Sequence, residues 1–137
     1  MDVTFTLDTI QTAATTLLQQ IGQRKVIALH GEMGAGKTTL VHAIGEVLRV
    51  KEAVSSPTFS IINTYTTAQQ TTLYHLDLYR LKSVQEAIGA GVEDCLYSGD
   101  LCLVEWPTIT PQLLPDDAVH VYITSKGNNE RLLQIKL

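Results

Sequence analysis

Residues 31 to 38 constrain this chain more than any other stretch. They read Gly31-Glu32-Met33-Gly34-Ala35-Gly36-Lys37-Thr38, with three glycines running into a lysine and a threonine. Before them, Val26-Ile27-Ala28-Leu29 is a short apolar run ending in His30, the pattern of a strand buried on both faces of a parallel sheet. After them, Leu40, Val41, Ile44, Val47 and Leu48 recur at helical spacing from Lys37 to about Leu48. Glycines at these positions open backbone conformations closed to other residues, so successive N–H groups can converge on phosphate oxygens. A helix starting near Lys37 adds the positive end of its dipole. Lys37 then reaches the β and γ phosphates, and the Thr38 hydroxyl ligates the magnesium ion they share. A chance glycine-rich turn is the plainer alternative, but the flanking strand and helix stand where a phosphate-binding loop (P-loop) needs them.

Such a loop also needs an acid at the end of a neighbouring strand, to hold magnesium directly or through water. Leu101-Cys102-Leu103-Val104 followed by Glu105 has that form, and His75-Leu76-Asp77 ends a second strand-like run. The two carboxylates either converge on one metal or divide the work, one orienting the attacking water. Sequence leaves these roles open. Trp106 follows Glu105 directly and reads either as a core tryptophan or as a shield over the phosphates. Ser55-Ser56-Pro57-Thr58 lies where triphosphatases often place a loop that senses the γ-phosphate, although it is locally only a Ser/Pro turn. Arg80 has a role in stabilising transferred charge open to it, against the commoner surface ion pair. His30, His42, His75 and His120 read as structural, His75 least firmly. No NKxD signature is present, so adenine is the expected base.

The remaining chain supplies a frame. Val3 to Leu7 reads as a short strand, and Asp8 or Thr9 is placed to cap a helix reaching about Gln20, where Ile10, Ala13, Ala14, Leu17, Leu18 and Ile21 share a face before Gly22. Phe59 to Tyr65 and Leu73 to Leu76 look like antiparallel strands across a polar loop. Val84 to Tyr97 divides into two short helical stretches interrupted by Gly89 and Gly91. Val119 to Ile123 pairs with Leu132 to Ile135 across Lys126-Gly127-Asn128-Asn129. The expected architecture is α/β: a single P-loop NTPase-type domain over residues 1–137, a mixed β-sheet flanked by helices, with its ligand edge at the strand carboxyl ends.

Bulk properties narrow the partners. A chain of 137 residues with 45% hydrophobic and 18% charged residues has material for one core. A formal net charge of -4 gives no overall field for a nucleic-acid backbone, so any RNA is expected to be engaged only indirectly, through a partner protein. Cys95 and Cys102 show no zinc spacing and read as reduced thiols in or near the core. The first residues lack the pattern of a secretory signal, and no run nears the roughly 20 apolar residues of a membrane span. A cytoplasmic location without membrane contact is the expectation.

Taken together, the motifs resemble the small bacterial TsaE (YjeE) ATPases, which act in making threonylcarbamoyladenosine on transfer RNA. The resemblance rests on Gly31 through Thr39, on Ser56-Pro57-Thr58-Phe59, on His75-Leu76-Asp77-Leu78-Tyr79-Arg80 and on Leu103-Val104-Glu105-Trp106-Pro107. Order and spacing agree across essentially the whole chain. The resemblance implies that Gly34, Ala35, Gly36, Lys37, Thr38 and Thr39 bind the ATP phosphates. It also implies that Thr38 and Glu105 ligate Mg2+, and that Asp77, Glu105 and Trp106 serve hydrolysis. It places further nucleotide contacts around Asp8 to Thr9 and around Asn128. Two departures stand out: Glu32-Met33 replaces the common Asp-Leu, and no tail follows the last strand. The family further implies a weak ATPase working with the TsaB and TsaD proteins, which transfer threonylcarbamoyl to adenosine next to the anticodon. Rival readings are a small P-loop kinase, for which only ten Lys and Arg residues are available to build an acceptor site and cover, and a nucleotide-gated interaction module with little turnover.

Overall fold

A computed structural model describes residues 1–52, 61–127 and 129–137. The described residues form a seven-stranded mixed sheet ordered β1-β7-β6-β2-β5-β4-β3. The strands are β1 (Asp2–Phe5), β2 (Val26–His30), β3 (Ile62–Thr66), β4 (Thr72–Asp77), β5 (Leu101–Glu105), β6 (Val119–Ser125) and β7 (Arg131–Lys136). The helices are α1 (Ile10–Ile21), α2 (Lys37–Val47), α3 (Val84–Ala90) and α4 (Val92–Leu96). Strands β6, β2, β5 and β4 run parallel, while β1 and β7 extend one side and β3 the other by antiparallel pairing. Because the four central strands point the same way, their carboxyl ends share one edge. That edge carries His30, Asp77 and Glu105.

Side-chain alternation sorts the core onto two faces. Ile27, Leu29 and Leu103 pack with Leu17 of α1 and with Leu40 and Ile44 of α2. Val26, Leu76, Cys102 and Val104 pack with Ala87 of α3 and with Val92 and Cys95 of α4. Full burial of one leucine or isoleucine contributes about 1.5–3 kcal/mol, and Leu17, Leu40 and Ile44 are all fully buried where α1 meets α2. This packing fixes α2 against the sheet and so fixes the loop that opens it.

Local chemistry moves some boundaries from their sequence-based positions. The first strand ends at Phe5, and Leu7 lies instead in a 3-10 turn, Leu7–Thr9. There the Thr6 backbone N–H donates to Thr9 Oγ1 at 2.9 Å, so the Thr9 hydroxyl is spent on the turn and does not cap α1 with its side chain. Gly89 does not interrupt a helix: α3 runs through it, since a mid-helix glycine costs only about 1 kcal/mol, and Ser83 caps the start by accepting from Glu86 N at 3.1 Å. Gly91 does break the chain, with φ 93 in the left-handed region. The strand read from Phe59 is described from Ile62, and Phe59 and Ser60 lie outside the described residues, as do Ser55 to Thr58. Cys95 and Cys102 are free and buried. Among the described residues no helix is long and apolar enough to cross a membrane.

Candidate functional site

Strand β2 delivers the chain to Gly31 at the sheet edge, and α2 starts at Lys37, so the intervening loop wraps over the end of the strand. Gly34 and Gly36 adopt φ 84 and φ 107, positive angles that side chains resist. Gly31 is required for a different reason: a Cβ there would stand 2.9 Å from the carbonyl oxygen of Ile123. Arg131 braces the loop from the far strand, donating from Nε to the Ala35 carbonyl at 3.0 Å.

Lys37 is buried at 5% exposure although it is charged. Its ammonium donates to the carbonyls of Gly31 and Glu32 and lies 4.0 Å from the centroid of the Trp106 ring. Burial pulls its pKa below the ordinary lysine value, and the negative charges of Glu105 and Asp77 partly restore it. The loop carbonyls thus hold the ammonium beside the cleft.

On the next strands, Asp77 and Glu105 are register partners at the ends of β4 and β5. Glu105 is 3% exposed, and the Thr38 hydroxyl donates to it at 3.1 Å from Oε1 and 3.2 Å from Oε2. His75 Nε2 meets Glu105 Oε2 at 2.5 Å. Asp77 sits at the rim, its Oδ1 accepting the Tyr79 backbone N–H at 3.2 Å. Trp106 takes φ 59, an uncommon angle for a bulky residue, which turns its ring over Lys37 and against Tyr79, centroids 5.1 Å apart. A cleft of about 280 Å³ gathers Gly34, Gly36, Lys37, Thr38, Thr39, Asp77, Glu105 and Trp106 on one wall or another. Ala35, by contrast, is buried with its methyl in the core and offers the site its backbone.

The donor set suits magnesium: one hydroxyl and one carboxylate in contact, with the Asp77 carboxylate on the adjacent strand end, are hard oxygens, and this ion takes few protein ligands when it shares phosphate oxygens. The loop suits phosphates, since its glycines leave no side chain between the backbone and the cleft. Around the loop, a second hollow of about 210 Å³ is lined by Phe5, Leu7, Ile10, Gly34, Gly36, Thr39, Asn129 and Arg131. It flanks the turn containing Asp8 and Thr9 and the final hairpin, while Asn128 itself lies outside the described residues.

The contacts made by His75 and Arg131 escape a reading of motifs. His75 was legible in principle, because alternation from Asp77 puts it on the same face. Arg131 carries no local signal; only the antiparallel run of β7 brings it to the loop. His30 and His120 do read as structural, Nε2 to Nδ1 at 2.9 Å with Tyr122 stacked on His30.

Comparison with known proteins bears on the family and the fold. The sequence profile of "Threonylcarbamoyl adenosine biosynthesis protein TsaE" matches residues 5–133. The tRNA threonylcarbamoyladenosine biosynthesis protein TsaE of Rickettsia conorii is 37% identical over 123 residues, covering 89% of this chain and 69% of that protein. The protein of the same name from Bacillus subtilis is 36% identical over 77% of this chain and 65% of its own length, and that from Treponema pallidum 31% identical over 85% and 86%. The chain thus spans about two thirds of the first two relatives. The crystal structure of Bacillus subtilis YdiB superposes with a TM-score of 0.68 at 25% identity, covering 98% of this chain and 84% of that one. With a profile match along nearly its whole length, the chain belongs to the TsaE family of threonylcarbamoyladenosine biosynthesis proteins.

Proposed function

We propose that this protein is a weak, magnesium-dependent ATPase that supports TsaB and TsaD in threonylcarbamoylation of adenosine in transfer RNA. The observation carrying the reading is the contact of Thr38 with Glu105 at 3.1 Å beneath a glycine loop that holds a buried lysine. In this reading, backbone N–H groups of Gly34 to Thr39 receive the phosphates, and Lys37 turns its ammonium from the Gly31 and Glu32 carbonyls toward the β and γ oxygens. Thr38 and Glu105 hold Mg2+, which when bound neutralises charge on the phosphates. Asp77, at the rim, orients the attacking water and accepts its proton. Trp106 roofs Lys37 and keeps bulk water from the cleft, where every charge interaction is then stronger. The hollow beside Phe5, Leu7 and Ile10 takes the adenine ring against its apolar wall.

Transfer RNA is reached through the partner proteins. The net charge of -4 supports that division of labour. The test is ATP hydrolysis by the purified protein, alone and with TsaB and TsaD, with Glu105→Ala as control. Strong stimulation of the wild type, lost in the variant, is expected. ATP bound without stimulated turnover points to a binding switch, and phosphate transfer to a metabolite points to a kinase; either overturns the proposal.

A further inference from the structure

We propose that His75 is the positioning residue that sets the Glu105 carboxylate for magnesium, an inference that rests on the metal role assigned to Glu105 above. Glu105 is buried, and a buried carboxylate needs hydrogen-bond donors to keep its charge. Among the described residues its side chain has two, Thr38 and His75. The Thr38 hydroxyl has a single proton to give and lies almost equally far from both oxygens, so it does not select one of them. His75 does: its Nε2 lies 2.5 Å from Oε2.

The imidazole is well suited to this task. It is 0% exposed, on the sheet face that carries Glu105, and sits across from Leu103 in the β4–β5 register, two residues before Asp77. A strand backbone and complete burial leave the ring no freedom to swing away. Its other nitrogen settles which atom carries the proton. His75 Nδ1 is buried without a hydrogen-bond partner among the described residues. A proton there would leave a bare donor in the core, whereas a lone pair is the less costly orphan. The tautomer with its proton on Nε2 therefore fits, donating to Oε2. Oε1 is left with Thr38 as its partner, at the cleft that Glu105 lines. Metal sites commonly use a carboxylate to orient a ligating histidine. Here the order is inverted, and the histidine orients the ligating carboxylate.

The test compares His75→Phe, which keeps the ring volume but has no donor, with His75→Gln, whose amide nitrogen reaches close to the Nε2 position. Affinity for ATP is measured in EDTA and across a magnesium titration, and Mn2+ bound to the protein–nucleotide complex is followed by electron paramagnetic resonance. Loss of an orienting partner typically weakens metal affinity by roughly 10- to 100-fold. His75→Phe should show a loss of that size, with metal-free ATP affinity within about twofold of wild type, and His75→Gln should recover most of it. Equal loss of metal-free and metal-dependent binding in both variants, with lowered thermal midpoints, makes His75 a core filler and overturns the proposal. Unchanged metal affinity in His75→Phe, alongside a clear loss in Glu105→Gln, overturns it while leaving the Glu105 assignment standing. No metal effect in Glu105→Gln removes both.

Discussion

Asp77 and Glu105 end adjacent parallel strands in register, yet they face different partners: Glu105 receives the Thr38 hydroxyl at 3.1 Å, while Asp77 accepts the backbone N–H of Tyr79 at 3.2 Å. The proposed division of labour, metal at Glu105 and water at Asp77, rests on this asymmetry. Glu105→Gln should weaken magnesium-dependent hydrolysis far more than metal-free ATP binding. Asp77→Asn should leave ATP affinity within about twofold and slow turnover on the order of 100-fold, the lower range for a lost general base. Steady-state kinetics paired with equilibrium binding separate the two, and an unchanged rate in Asp77→Asn removes it from the mechanism.

The loop glycines should fail for distinct reasons. Gly31→Ala drives a Cβ to 2.9 Å from the Ile123 carbonyl, so it should destabilise the fold by about 1–3 kcal/mol through overpacking. Gly34→Ala meets nothing within 4 Å and should cost only the roughly 1–2 kcal/mol of a left-handed alanine. Urea unfolding midpoints for the two variants check this, and a Gly34→Ala cost exceeding that of Gly31→Ala would contradict it.

The His30–His120 pair predicts a pH dependence. Burial, then the neighbouring His120, then Lys37 hold the His30 pKa below its ordinary value of 6.5. The unfolded chain therefore binds a proton there before the folded one does. Stability from this group is present above the unfolded pKa and is lost as pH falls through the folded one. His30→Asn should flatten the acid limb of a plot of unfolding free energy against pH; an identical limb in the variant argues against the pair as its source.

Burial pushes the Cys102 thiol up to about 12, and its Sγ donates to the Cys95 carbonyl at 3.0 Å. Thiolate is the reactive form, so Cys102 should resist iodoacetamide near pH 8 in the folded protein and react once the chain is denatured. Its contribution to stability is present below the unfolded thiol pKa and is lost as pH rises toward about 12. Peptide mapping after labelling gives the result, and rapid native-state modification of Cys102 would refute the burial argument.

The glycine loop between β2 and α2 was legible because its pattern is local: eight consecutive residues carry the glycines, the lysine and the hydroxyl. The strand ends at Asp77 and Glu105 were legible too, since an acid closing an apolar run marks a sheet edge. What sequence did not order was distance across the fold. Arg131 reaches Ala35 from 96 positions away and leaves no local pattern, and His75 reaches Glu105 from 30, with only its alternation from Asp77 to hint at it. Trp106 shows the third kind of limit. Its φ of 59 departs from the extended backbone that a residue before proline ordinarily takes, and with that backbone the ring lies over Lys37. The 3-10 turn at Leu7–Thr9 was missed because hydroxyl bonds between Thr6 and Thr9 overrode a weak strand alternation.

The most direct measurement is calorimetric titration of ATP with magnesium into the wild type and into Lys37→Ala. Lys37 is the buried cation around which the loop is built, and losing two charge-assisted hydrogen bonds at about 1.5 kcal/mol each is worth roughly 100-fold in affinity. Clear saturable binding by the wild type is expected, with a loss of at least that order in the variant. Tight ATP binding retained by Lys37→Ala would contradict it.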